Sequence, residues 1–165
     1  MVTTTKSINL TARTATPFNV TNSRLQGGVV KCVVDTIENP NSAVGDIAMF
    51  GGISVDATLL RIDLASDDAG TTGTFDIGFY KLNVDGTFTV VDVDNIGNDI
   101  DNSGAAISLT NYRFSAPNIS TVQAPLWSLA GLSARPDYAE LFFGLTMDGN
   151  DSAIATISTQ VYYME

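Results

Sequence analysis

Histidine is absent from this sequence, and cysteine and tryptophan each occur once. Without histidine, neither a Ser-His-Asp triad nor a Cys-His nucleophile can form, and histidine-ligated zinc, iron and copper sites are excluded. The single cysteine, Cys32, can form neither an intramolecular disulfide nor a cysteine-rich zinc site. It lies in the apolar run 29–34, which predicts a buried structural thiol. These absences favour a protein that is not an enzyme and needs no cofactor.

Charged residues are also scarce, and few of them are basic. Eight Lys and Arg stand against 18 Asp and Glu, for a net charge of −10. Phosphate backbones and anionic membranes repel such a chain, so we expect it to bind neither nucleic acid nor membrane. Charged residues make up 16% of the chain, against about 25% in average proteins. Thr, Ser, Asn and Gly replace them, which favours a surface partly covered by other subunits.

The N-terminal residues 1–26 differ from the rest, with many Thr, Ser and Asn and poor periodicity. They carry three of the eight basic residues: Lys6, Arg13 and Arg24. This segment is either a loosely ordered terminus or an arm that becomes ordered against a partner subunit. We predict one folded domain over 27–165. The chain has no apolar run of membrane-spanning length and no visible signal peptide, so we expect synthesis in a cytoplasm.

Three apolar runs between Ile53 and Val91, separated by two turn signals, predict an antiparallel meander. Strict alternation in 74–79 should place the side chains of Phe75, Ile77 and Phe79 on one face. The Asp85-Gly86 pair between two strand patterns predicts a hairpin with a type I′ turn. Upstream, the alternation changes parity near Leu59-Leu60, and such a change predicts a β-bulge.

Further strand patterns occur on both sides of this region, at 29–37, 44–50, 106–114, 138–147 and 153–163. A short helix is expected at 125–131, because Pro125 suits a first turn and Gly131 can end it. Trp127 in that helix should cap the core. Eight or nine strands without a βαβ rhythm predict an all-β fold. We expect an antiparallel β-sandwich, jelly-roll-like, rather than a barrel.

An acidic segment after Val91 raises a calcium hypothesis, since it holds four carboxylates within ten residues: Asp92, Asp94, Asp99 and Asp101. Asp92, Asp94 and Gly97 fit the spacing of an EF-hand loop. Two further ligand positions are occupied by Ile96, which has no oxygen in its side chain, and by Ser103 in place of the usual Glu. A solvated acidic loop is the favoured alternative. Glycoside hydrolysis by paired carboxylates also stays open, with Asp76 as the first acid to check, although one tryptophan argues against a sugar cleft.

Several sequence segments, in their order along the chain, resemble those of the β-sandwich cement or decoration proteins on the HK97-type capsids of tailed bacteriophages. The resemblance covers about residues 27–164 and is carried by 52–68, 74–80, the Asp85-Gly86 turn, 99–101, 125–127, 130–132 and 154–163. One departure is Ser54-Val55, where the family usually has a proline after the position of Ile53.

The resemblance implies a structural virion protein that stabilises the phage head by binding the outer surface of the capsid shell. It also implies a homotrimer, with the major capsid protein as partner and no catalytic residues. From position and charge alone, Lys6, Arg13 and Arg24 are predicted to contact the capsid. Two alternatives are another virion component, such as a head fibre, tail or neck protein, and a carbohydrate-binding β-sandwich for host attachment.

Overall fold

The computed structural model describes residues 29–39, 43–112, 124–149 and 153–165. The predicted arm 1–26 lies outside these residues. The described part contains eight strands and one four-residue helix, and no helix in it is long and apolar enough to cross a membrane. The elements are β1 Val30–Asn39, β2 Ile47–Ser54, β3 Thr58–Ser66, β4 Thr74–Leu82, β5 Phe88–Asp101, β6 Ile107–Asn111, α1 Leu126–Leu129, β7 Glu140–Met147 and β8 Ala155–Met164.

The strands form two four-stranded antiparallel sheets. Sheet 1 has the order β1-β8-β3-β6, and sheet 2 has the order β2-β7-β4-β5. The first strand pairs with the last, the second with the seventh, the third with the sixth and the fourth with the fifth. This nested pairing is that of one long hairpin rolled up into two layers. The predicted jelly-roll-like sandwich is therefore confirmed.

The hydrophobic core lies between the two sheets. Phe75, Ile77 and Phe79 of β4 are all buried on the same face, as their alternation predicted. The rings of Phe79 and Phe143 pack at a centroid distance of 5.5 Å. From the opposite layer, sheet 1 contributes buried side chains that include Leu59, Ile62, Leu64, Ile157 and Val161. The sandwich encloses its apolar side chains in the usual two-layer way.

The β4–β5 hairpin is confirmed, but its turn is not of type I′. That turn needs a positive φ at two central residues, whereas only Gly86 has one here, at 83°. The loop is longer, because Asn83 donates its backbone N–H to the Thr87 carbonyl and Gly86 donates to the Asn83 carbonyl. A single left-handed glycine is typical of three-residue hairpin loops.

The predicted meander is wrong, because its strands belong to different layers. Strand β3 lies in sheet 1, while β4 and β5 are neighbours in sheet 2. The connections on both sides of β3 pass from one sheet to the other, as the nested pairing requires. Residues 55–57 form the turn between β2 and β3, and the predicted bulge occurs as a register shift between Leu59 and Arg61.

Strand β5 continues through the acidic segment to Asp101, so the interpretation of this segment as a loop is wrong. The β4–β5 register moves from Phe79 opposite Asp92 to Ile77 opposite Gly97, which inserts extra β5 residues into the ladder. These inserted residues form a large bulge that passes over Gly78, where a side chain would collide with the backbone of Asp92 and Val93. The missing side chain of Gly78 thus makes room for the bulge.

Cys32 is exposed, contrary to the prediction of a buried thiol. Strand β1 is the edge of sheet 1, and its half-buried side chains are those of Val33, Asp35 and Ile37. Cys32 has the other parity and points outward, together with Val34. An apolar run on an edge strand need not be buried on both sides, which explains the error.

The short helix is confirmed as α1, and Gly131 with φ 74° follows its C-cap residue Ala130. Two helix residues donate backbone N–H groups to the β2–β3 turn: Leu126 to the Ala57 carbonyl and Trp127 to the Val55 carbonyl. Trp127 is half-buried against the core, as expected of a capping side chain. The helix therefore covers one end of the sandwich.

Candidate interaction surface

Sheet 2 carries large apolar side chains on its outward side as well as on its core side. Tyr80 lies opposite both Val90 and Phe142, and Leu82 lies opposite Phe88. Residues paired directly across strands share a face, and this face is opposite to that of core residues such as Phe79. We call six residues the outer apolar face: Met49, Tyr80, Leu82, Phe88, Val90 and Phe142.

The side chains of the outer apolar face pack on one another. The Phe88 and Phe142 rings meet edge to face with their centroids 5.4 Å apart. The Tyr80 ring and the Met49 sulfur converge over Gly144, where an added methyl carbon would lie 2.5 Å from the ring and 2.8 Å from the sulfur. The Tyr80 hydroxyl is hydrogen-bonded to the Thr146 hydroxyl, and burial raises the pKa of Tyr80. The face is thus a packed layer, since its rings are in contact with their neighbours.

Part of this layer is open to solvent. Leu82 and Val90 are each 46% exposed, and Val84 at the hairpin tip is fully exposed. Two shallow depressions adjoin them, of about 190 and 310 Å³, and both are lined by Leu82 and Tyr138. A cluster of exposed apolar side chains that includes aromatic rings is characteristic of surfaces that bind other proteins.

Acidic side chains surround the outer apolar face. Asp76, Glu140 and Asp137 lie beside it on β4, β7 and the preceding loop, and Asp85 lies in the hairpin turn. The one basic residue among those that line the depressions is Lys81, which lines the larger of the two. These four acidic residues and Lys81 together carry a formal charge of −3. The face is therefore an apolar centre with a negative rim.

The outward side of sheet 1 differs, because polar side chains that bond to one another lie beside its exposed apolar residues Val30 and Val34. The Thr36 and Ser158 hydroxyls lie 3.0 Å apart, and the Arg61 guanidinium lies 2.6 Å from the buried Asp63 carboxylate. Groups that satisfy each other in this way leave fewer contacts to be gained from a partner.

The four candidate calcium ligands do not converge. Asp92 accepts N–H groups from Asp94 and Asn95, at 3.4 and 3.2 Å, and Asp101 accepts the backbone N–H of Ser103 at 2.8 Å. Asp99 has a positive φ of 51°. Within the described ranges, no group of three acidic or thiol side chains is placed to hold a metal ion. The calcium hypothesis therefore finds no ligand cluster in this part of the chain.

The other predicted site residues have separate positions. Asp76 lies on the outward side of β4, half-buried, and accepts the backbone N–H of Asp99 at 2.8 Å. This contact gives it a structural role in holding the β5 bulge. Lys6, Arg13 and Arg24, the predicted capsid contacts, lie outside the described residues.

The outer apolar face was not identified from the sequence, although a signal for it exists. In 75–82 the core parity is filled by Phe75, Ile77 and Phe79, yet Tyr80 and Leu82 of the other parity are also large and apolar. A strand that is apolar at both parities is covered on both sides. Here the outward side of β4 is only partly covered, since Leu82 is 46% exposed.

Comparisons with known proteins find a chain of similar fold but do not identify a family. No protein-family model matches the sequence, and no curated protein matches it significantly. Among solved structures, the chain is similar to one from a structure titled "Capsid of Ralstonia phage GP4". The two share 18% sequence identity over 84% of this chain and 85% of that one, with a TM-score of 0.57. The two chains therefore share a fold over most of their length.

Proposed function

We propose that this protein is a structural component of a phage virion, a cement or decoration protein that binds the outer surface of the capsid shell. The observation that carries the proposal is the fold similarity to a chain of a phage capsid structure over 84% of this chain. An exposed apolar face on a packed sandwich supports it, because a binding surface needs such side chains and catalysis does not. The absence of histidine supports a role without enzymatic turnover.

In this role the protein acts by mass action. A molecule that binds the assembled shell and not the free subunits shifts the equilibrium towards the shell. The major capsid protein is the proposed partner, and the outside of the virion is the proposed location. A homotrimer suits this task, because closed symmetry uses one interface repeatedly around an axis.

Co-sedimentation tests the proposal directly. Purified protein is mixed with empty shells of the cognate major capsid protein, and we expect it to pellet with them at a saturable ratio and to raise their melting temperature. Light scattering of the free protein should give the mass of a trimer. Protein that stays in the supernatant at micromolar concentration, with the shell melting temperature unchanged, would refute the proposal.

The basic N-terminal segment has its own test. Lys6, Arg13 and Arg24 are proposed to contact the shell, so deletion of residues 1–20 should abolish decoration while the free oligomer keeps its size and circular dichroism spectrum. A charge-neutral variant, with all three basic residues changed to Gln, separates charge from length. Decoration that persists in both variants would exclude this segment from the interface.

A further inference from the structure

The outer apolar face has more exposed apolar surface than a solvated sheet face requires. A sheet in a two-layer sandwich buries one face on the core, and its other face is normally polar. Here Leu82, in the last pair of the β4–β5 ladder, and Val90, opposite Tyr80, are each 46% exposed beside the half-buried rings of Phe88 and Phe142. Exposed apolar clusters rimmed by polar groups mark sites of protein binding.

The charges at the rim indicate the chemistry of the partner. Glu140, Asp137 and Asp76 border the face, and Lys81 is the basic residue beside them. Across protein interfaces the rim charges are complementary, since opposed charges speed encounter and like charges cost several kcal/mol. A partner for this face should therefore present an apolar patch edged by Lys or Arg.

We propose that the outer apolar face is a docking surface of this protein in addition to the N-terminal segment, and that its occupant is a protein surface with an apolar centre and a basic rim. The proposal rests on the proposed function, which makes that surface part of the capsid shell. In the complex, Leu82, Val90 and Phe88 contact the apolar centre, and Glu140 and Asp137 pair with the basic rim. The packed rings form a preorganised surface, so little side-chain freedom is lost on binding.

A second copy of this chain is a poorer occupant. In a two-fold contact through this face, the negative rim of one copy would meet the negative rim of the other, and such like-charge contacts oppose association. On the outward face of sheet 1, the Arg61 charge is paired within the chain, with Asp63. Contacts between copies are therefore expected elsewhere than on the outer apolar face.

Two substitutions test the apolar centre and the rim separately. Val90→Lys places a positive charge in the apolar centre, opposite the proposed basic partner, and should weaken binding to shells at least roughly tenfold. Glu140→Lys should slow association and reduce the salt dependence of binding. The matched control is Val34→Lys, on β1 of sheet 1, where the valine is 64% exposed and outside the face.

The measurement is co-sedimentation with shells at several protein and salt concentrations, after a thermal melt has shown that each variant is folded. Weakened binding for Val90→Lys and Glu140→Lys, with Val34→Lys like wild type, is the expected result. Wild-type and Val90→Lys proteins that bind equally would overturn the inference alone. A wild-type protein that does not bind shells would overturn the proposed function as well. A change of oligomer size in Val90→Lys would show that a second copy covers the face, and would also overturn the inference.

Discussion

The backbone of Asp92 lies close to Gly78, in the space that a side chain on Gly78 would occupy. A methyl carbon on Gly78 would overlap the carbonyl oxygens of Asp92 and Val93 and would lie 2.5 Å from the carbonyl carbon of Val93. The β5 backbone occupies the space that a side chain of β4 would otherwise fill. This close approach allows the acidic residues after Val91 to remain part of a strand, as an inserted bulge.

We expect Gly78→Ala to destabilise the fold by about 1–3 kcal/mol, the usual cost of forcing extra atoms into a packed site. The neighbours are backbone atoms, so they cannot rotate away. The free energy of unfolding in urea measures the effect. Gly51→Ala is the control, because its methyl would meet only Val33 and Asp35, at 3.4 and 3.7 Å. Equal stability of the two variants would contradict the close approach at Gly78.

The Phe79–Phe143 pair predicts a large loss when one ring is removed. Phe79 is completely buried and packs on Phe143 between the two sheets. Phe79→Ala should lower the free energy of unfolding by about 3–5 kcal/mol, from lost burial and the cavity left behind. Val84→Ala, at the exposed hairpin tip, should change it by less than about 0.5 kcal/mol. A Phe79→Ala cost close to that of the control would place the core elsewhere.

The hairpin turn predicts a local titration. Asp85 accepts hydrogen bonds from the hydroxyl and the backbone N–H of Thr87, at 2.6 and 3.0 Å, and these bonds lower the pKa of Asp85 below its usual value of 3.8. The bonds favour the charged form, so their contribution to stability is present above pH 3.8 and is lost as the pH falls through the pKa of the folded state.

Thr87→Val removes the hydroxyl, which is the larger cause, and keeps the backbone donor. We expect the pKa of Asp85 to move back towards 3.8, as measured by carboxyl chemical shifts in an NMR titration. Asp101 is the internal control, because its pKa is lowered by Ser103 and should not respond to this variant. An unchanged Asp85 titration would show that the hydroxyl contributes nothing.

Cys32 should react with a thiol reagent in the native protein, because its side chain is exposed on the outward side of β1. We expect one thiol per chain to be labelled without denaturant, at a rate within about tenfold of that in the unfolded chain. Colorimetric disulfide exchange measures both rates. A thiol that reacts only after unfolding would mean that Cys32 is covered.

Local patterns predicted those features of β4 and its hairpin that depend on residues close together in the sequence. Alternation placed Phe75, Ile77 and Phe79 on one face, which is the core face, and Asp85-Gly86 located the hairpin. The turn type was wrong because two turn classes use glycine at this place, and only hydrogen bonds across the loop distinguish them. The outer apolar face was missed because residues from four strands compose it, and one strand, β4, shows only Tyr80 and Leu82 of it.

The sequence by itself determined the all-β class, the short helix after Pro125 and the core-facing parity of β4, because these follow from side-chain spacing and from turn residues that act locally. The tertiary structure alone decided which sheet each strand joins, whether the β1 thiol is covered, and which apolar face remains open. These depend on pairs such as Val30 with Met164, at opposite ends of the described chain. Alternation gives a strand two faces, but only its neighbours in space decide what covers each of them.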